Sequence, residues 1–487
     1  QALSARFKEI ITALQMPWVD QFCCFRKNVE IPGKPPLPPK RKSLLMFHIG
    51  TNNWQRQGEF APGSGILHAS MHQTFNAMPG VKCYSMYPSR RQTDPDTSED
   101  NTFKIFKLDH DIPICESVSP NSSYRWHSMT DDQFVAYCKR LENEVCAYMD
   151  EIEEKEEQEF DYLISHQAFS NAMTGAQIVD RRRAEGKTSL RHFNFVHGTA
   201  LKMYIKEKDG DPDYPLRFLK ICTGHGVFNG SSKTAGIWVN SEDYISKFAD
   251  CFPNYPKERL ILSRVGVNQQ IFWPRGTVVT KDLERHVGDD DKNKLASIRR
   301  VVTFVGKFAD WKRLDAVLHA AAIYERALPD CGTVIVGSGP PEAVERYTGL
   351  ARHLALQRAL FLGAKGQEAL AELLSMSEVG VFPSWREPFG TVLVECLACG
   401  TPAIGARSGG PLGFLSPELG MLVEEEEAWR TDAGIKRLGG RLAEAVTQAL
   451  REDWKGQAKG PKCAPFVRQN YSTLAQCQGM LDDMASL

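Results

Sequence analysis

The chain has no apolar run approaching the roughly 20 residues of a membrane span, which argues against a membrane-spanning protein. Neither sign of charge is in excess. With 59 Lys and Arg against 60 Asp and Glu the formal net charge is -1, which argues against a general nucleic-acid binder. The 13 cysteines are scattered through 487 residues, too thinly for a disulfide scaffold, and point to a reducing, cytoplasmic setting. There is one C-x-x-C, Cys396 to Cys399, and no second pair to complete a zinc site, so it reads as small residues packing within a helix. No Asp-x-Asp metal motif stands beside a strand. Asp211-Pro212-Asp213 has the spacing but lies in a polar, proline-containing stretch after Lys206-Glu207-Lys208, and reads as a turn. Gly337-Ser338-Gly339 lacks the third glycine and the acidic partner of a nicotinamide fingerprint.

What remains is a globular composition, 42% hydrophobic and 24% charged, at a length that favours two or three domains. Leu3, Phe7, Ile10, Ile11, Leu14 and Trp18 fall at helical spacing, and Ile31 to Lys40 is a stiff proline-rich linker, so residues 1–40 form an N-terminal helix and linker. The helix has too few basic residues to indicate peripheral membrane contact, and reads as packing on its own protein. From Ser43 to Gly50 a strand leads into a loop with Gly58, Pro62, Gly63, Ser64 and Gly65, then a helical pattern over 66–77. Strand, glycine-rich loop and helix make the first unit of a doubly wound sheet, with ligand contacts expected at strand ends. Further strands are expected at 81–87, 103–108, 161–166, 192–199 and 236–241, with a helix over 131–159 whose acidic end reads as a solvated face. Two of these strands end in histidine, His166 and His197. Lys202 and Tyr204 follow and are placed toward an acceptor.

After a charged stretch over 280–294, read as mobile, a second doubly wound pattern opens with Arg300 to Gly306. Lys307 and Lys312 follow that strand, and cations there suit a diphosphate. The most informative stretch is Glu387-Pro388-Phe389-Gly390-Thr391 through Glu395 to Gly400-Thr401-Pro402. Strand Val379 to Pro383 runs into a loop, Gly390 permits a close turn, and a helix continues from Thr391. Two helical turns separate the carboxylates, so Glu387 and Glu395 both approach a ligand over the helix start. The N–H groups of Phe389, Gly390 and Thr391 favour an anionic group on that ligand. Residues 424–427 read as an exposed acidic loop, with helices beyond.

Glu-Pro-Phe-Gly with Glu395, followed by Ser408-Gly409-Gly410-Pro411, resembles the Glu-x7-Glu signature of the family-four retaining GT-B glycosyltransferases, which include sucrose-phosphate synthases. The resemblance implies an α/β GT-B fold of two Rossmann-like domains facing across a cleft, an acceptor-side domain over 41–275 and a nucleotide-sugar domain over 276–465. Residues 466–487 would form a helix crossing back to the first domain. It implies catalytic roles for His197, Glu387 and Lys312. Donor contacts would come from Gly63, Gly65, Lys307, Lys312, Phe389, Gly390, Thr391 and Glu395. The donor implied is a nucleoside-diphosphate sugar, most simply UDP-glucose, and the acceptor a small hydroxylated or phosphorylated molecule. No metal and no other cofactor is required in this scheme, because two lysines and a helix N-terminus carry the leaving charge. The family's Asn-Gly-Val-Asp linker is altered here to Val265 and Asn268. Two alternatives stand beside this reading: a GT-B nucleotide-sugar epimerase, and a catalytically silent nucleotide-sugar binder.

Overall fold

Mostly apolar runs such as Leu44 to Ile49 and Val301 to Val305, without strict alternation, suit parallel strands, whose two faces are both covered. The computed structural model describes residues 43–50, 63–89, 101–107, 130–167, 170–198, 201, 204–205, 208–209, 234–276 and 278–487. The N-terminal helix and linker, Thr199, Lys202 and the Asp211–Asp213 turn lie outside those residues.

The first sheet has seven parallel strands: β1 (Leu44–Ile49), β2 (Val81–Ser89), β3 (Phe103–Lys107), β4 (Tyr162–His166), β5 (Arg191–Val196), β6 (Gly236–Val239) and β7 (Leu260–Leu262). Their order is β3-β2-β1-β4-β5-β6-β7. Helices α1 (Gly63–Ala77), α2 (Asp131–Glu156), α3 (Ser170–Ala184) and α4 (Glu242–Cys251) connect them. The second sheet has six parallel strands, β8 (Arg300–Val305), β9 (Cys331–Val336), β10 (Ala359–Phe361), β11 (Val379–Phe382), β12 (Ala403–Ala406) and β13 (Gly420–Val423), ordered β10-β9-β8-β11-β12-β13. In both sheets the chain builds outward from the first strand and then returns to its other side. The resulting switch points, β1/β4 and β8/β11, are where an open α/β sheet leaves a crevice for ligands.

Several local readings change. Residues 280–294 are ordered around α5 (Val279–Glu284) and α6 (Lys292–Leu295): Leu283, Val287 and Leu295 are buried with Ile298 against Val301, Val334 and Leu373. A few well-spaced apolar residues anchor the stretch while its charges face outward. The acidic end of α2 is a pairing surface. Buried Arg182 of α3 binds Asp150 and Glu153 at 3.1 Å each, and Tyr84 donates to Glu156 at 2.7 Å. Within 424–427 the exposed reading holds for Glu424 and Glu427 only; Glu426 is buried and paired with Arg437 and Arg441.

Beyond α7 (Leu314–Ala327), α8 (Pro341–His353), α9 (Gln367–Met376), α10 (Thr391–Ala398) and α11 (Asp432–Arg451), the chain ends in α12 (Gly460–Asn470) and α13 (Thr473–Ser486). The last helix lies against the first sheet's layer. Trp238 Nε1 donates to Asp483 at 2.8 Å, and Tyr162 Oη and Arg191 both donate to the Met484 carbonyl, at 3.1 and 3.0 Å. Val267 N donates to the Tyr471 carbonyl at 2.8 Å, joining the chain between the sheets to the segment before α13. One buried cluster accordingly runs from Met46 and Phe193 through Phe272 and Phe389 to Met480 and Met484.

Candidate functional site

Strand β11 ends at Phe382, and the loop that follows reaches α10 through Gly390 at φ 95°, a left-handed conformation that costs glycine little. Gly390 has no side chain to cap α10, so the first-turn N–H groups have no side-chain acceptor at that position. Phe389 packs its ring into the core beside Phe414 and Tyr471, which leaves its backbone as the part that can serve a ligand. Thr391 is exposed at the helix start.

The loop is moulded by a second one. Gly410 N donates to the Glu387 carbonyl at 2.8 Å, and a Cβ at Gly409 would stand 2.2 Å from that same oxygen. Arg386, at φ 46°, gives its N–H to Glu425 Oε1 at 3.1 Å, and Ser408 Oγ hydrogen-bonds the same carboxylate. Glu387 is thereby held from behind. Its side chain accepts from Lys312 Nζ at 2.6 Å, with both groups mostly buried.

Gly306 directly follows β8, and the Lys312 stem passes over it, 3.6 Å from where a Cβ would stand. The Trp385 N–H donates to the Trp311 carbonyl at 2.7 Å, tying the loops after β8 and β11 together at the switch point. Lys307 lies with its ammonium over the Trp311 ring, 4.7 Å from the centroid. Glu395, one turn into α10, is half-buried, and desolvation pushes its carboxyl up to about 7. Cys396 and Cys399 are buried in the same helix and their thiols are pushed up by burial, Cys399 to about 12, as suits packing residues.

Among the described residues, the first sheet approaches the motif at Gly198. Gly198, at φ 100°, lies so close to the motif that a Cβ there would be 3.0 Å from Pro388 Cβ. His197 precedes it. Its Nε2 meets His166 Nδ1 at 2.8 Å, and burial lowers it to about 3, so the ring is neutral. The structure thus joins Lys312 to Glu387, and sets Gly198, next to His197, against Pro388, next to Glu387. Gly63 and Gly65 lie in the first turn of α1 rather than in a loop before it. Tyr204 does not face an acceptor: it is a core residue packed on Phe252, 5.1 Å between ring centroids. Sequence reasoning passed over Glu425, which helps shape the Glu387 loop, and over His48, whose place near the end of β1 resembles that of His166 in β4.

Residues 289–451 match the family described as Glycosyl transferases group 1. The match covers 163 of the 487 residues. Among curated relatives, the D-inositol 3-phosphate glycosyltransferase of Corynebacterium aurimucosum is 26% identical over 278 residues, 55% of this chain and 60% of its own. That of Mycolicibacterium gilvum is 37% identical over 142 residues, 28% and 31% of the two chains. The chain therefore spans less than two thirds of these relatives. Among solved structures, sucrose-phosphate synthase from Thermosynechococcus elongatus superposes with a TM-score of 0.64 at 17% identity, covering 90% of this chain and 98% of that one. HepE of Anabaena, solved with UDP and glucose, gives 0.60 at 13%, covering 91% and 100%. The fold is GT-B, and the group 1 stretch contains Lys307, Lys312, Glu387 and Glu395.

Proposed function

We propose that the chain is a retaining glycosyltransferase that moves a hexose, most simply glucose, from a nucleoside-diphosphate sugar, UDP-linked in the first instance, to a hydroxyl of a phosphorylated acceptor. The observation that carries this is the Lys312–Glu387 pair at 2.6 Å, set beside the uncapped start of α10 and against His197-Gly198 of the other sheet. The donor reading is supported by HepE, whose structures hold UDP and UDP-glucose, and the acceptor reading by relatives named for D-inositol 3-phosphate.

In this reading Lys312 and Glu387 neutralise each other until the donor enters. Lys312, Lys307 and the N–H groups of Phe389, Gly390 and Thr391 then bind the diphosphate, while Glu387 accepts from sugar hydroxyls and Glu395 from the ribose. The C–O bond to the leaving phosphate breaks through an oxocarbenium-like transition state. The acceptor oxygen attacks from the same face and its proton passes to the departing phosphate, so Glu387 is not a covalent nucleophile. Two ammonium groups and a helix N-terminus stabilise the charge as it develops, which makes the step metal-independent. Neutral His197 faces the transferred sugar as a hydrogen-bonding group. Gly63 and Gly65, opening α1, complete the donor side.

Thermal stability measured with UDP, ADP and GDP and their glucose conjugates, in EDTA, tests the reading. Stabilisation by one nucleoside diphosphate, lost in Lys312→Ala, is expected, because a ligand that binds only the native state raises stability. No shift with any nucleotide would overturn the donor assignment, and inverted anomeric configuration in the product would overturn retention.

A further inference from the structure

The switch point of the first sheet holds a cluster that the proposed transfer does not use. His48 stands near the carboxyl end of β1 and His166 at that of the neighbouring β4, and α1 brings His68 against both. All three side chains are buried. Each offers a ring nitrogen such that the three nitrogens lie within 4.8 Å of one another. His48 Nδ1 and His166 Nε2 are 3.1 Å apart, the His48 and His68 rings stack at 4°, and the His68 and His166 centroids are 4.6 Å apart. Gly50 makes room for this, since a Cβ there would fall 2.4 Å from His68 Nδ1.

Hydrogen bonding alone leaves the cluster incomplete. His166 is engaged at both nitrogens, by His48 and by His197, whereas His48 Nε2 is buried with no hydrogen-bond partner among the described residues. In either tautomer that atom is a stranded donor or a stranded lone pair, an uncommon state for a buried polar atom. The donor set is imidazole alone, which suits borderline divalent ions and not calcium or magnesium.

We propose that His48, His68 and His166 form a buried binding site for a divalent transition-metal ion of the zinc class. Nitrogens bound tetrahedrally at about 2.0–2.1 Å stand roughly 3.3 Å apart, close to the spacing already present between His48 and His166. Bound through Nδ1, His48 exchanges its hydrogen bond to His166 for the ion and keeps its proton on Nε2. His166, coordinated through Nε2, keeps its proton on Nδ1 and donates it to His197 Nε2. The ion thereby sets the tautomer of the histidine nearest the Glu387 loop. Its residues come from β1, β4 and α1, and the site does not depend on the transfer reading.

The test is metal content and cobalt uptake by the full chain, purified without a histidine tag or chelator. About one zinc-class ion per chain is expected on elemental analysis, and protein stripped with dipicolinate should take up one Co(II) with visible bands of low-coordinate cobalt. His48→Gln and His68→Gln, each with an unchanged circular dichroism spectrum, should bind Co(II) at least tenfold more weakly. Absence of Co(II) uptake by the folded wild-type chain overturns the site, and so does unchanged uptake by both variants. Should the variants fail to fold, the wild-type titration decides alone.

Discussion

The two sheets use the same switch-point geometry for opposite chemistries. Beyond β8 and β11, the loops supply an ammonium and a carboxylate in direct contact, with a helix N-terminus beside them. At the ends of β1 and β4 the groups are histidines, buried and linked ring to ring. An ion pair that retains some solvent can open to admit a charged ligand. A buried row of imidazoles has no fixed charge to offer an anion; its lone pairs suit a cation, and its last ring orients His197. One topology thus gives a gripping half and an orienting half, and the difference lies in which side chains the loops deliver.

Breaking the gripping half should have the largest effect. Lys312→Ala or Glu387→Ala should lower kcat by about 10²–10³-fold, the range seen when one preorganised electrostatic group is removed, while the circular dichroism spectrum stays native. Unchanged turnover would remove both residues from the chemistry. Next is the loop that holds Glu387 from behind. Gly409→Ala places a Cβ 2.2 Å from the Glu387 carbonyl at φ 63°, and should cost about 2 kcal/mol in urea unfolding and about tenfold or more in kcat. An equal loss in Gly413→Ala, where a Cβ would meet nothing within 4 Å, would show the effect to be non-specific.

The pH response sharpens the contrast. Glu395 has a native value of about 7 against 4.5 for a free glutamate, so the native chain holds more protons than the unfolded one between those values. Stability contributed by the protonated carboxyl is present below pH 4.5 and declines as pH rises through 7. Ribose hydroxyls favour the ionised form, so donor affinity should rise with pH up to about 7, by at most about tenfold per unit. Glu395→Gln should flatten that profile in calorimetric titration. A smaller effect is expected at the join between halves: Trp238→Phe removes the bond to Asp483 and should cost about 1 kcal/mol, read as a lower urea midpoint.

Much of the second half was legible because its signals are local. Gly390, Gly409 and Gly410 sit where backbone meets backbone, and the motif from Glu387 to Glu395 is contiguous along the chain. Helix α3 was not legible. Ser170, Asn171, Ala172, Met173, Thr174, Gly175 and Ala176 are buried in succession, so no apolar stripe marks a face. The histidine cluster draws on positions 48, 68, 166 and 197, and only the folded sheet brings them together. The same holds for Lys312 and Glu387, which sequence places in one site without giving the distance between them.

Helix α13 has a consequence for how the chain is made. It covers the first sheet through Trp238, Tyr162 and Arg191, yet β7 ends at Leu262 and α13 begins only at Thr473. At about 5–20 residues per second a ribosome needs roughly 10–40 s to cover that interval. For that time the sheet's partner surface is uncovered, and it closes only after the whole second sheet has been made.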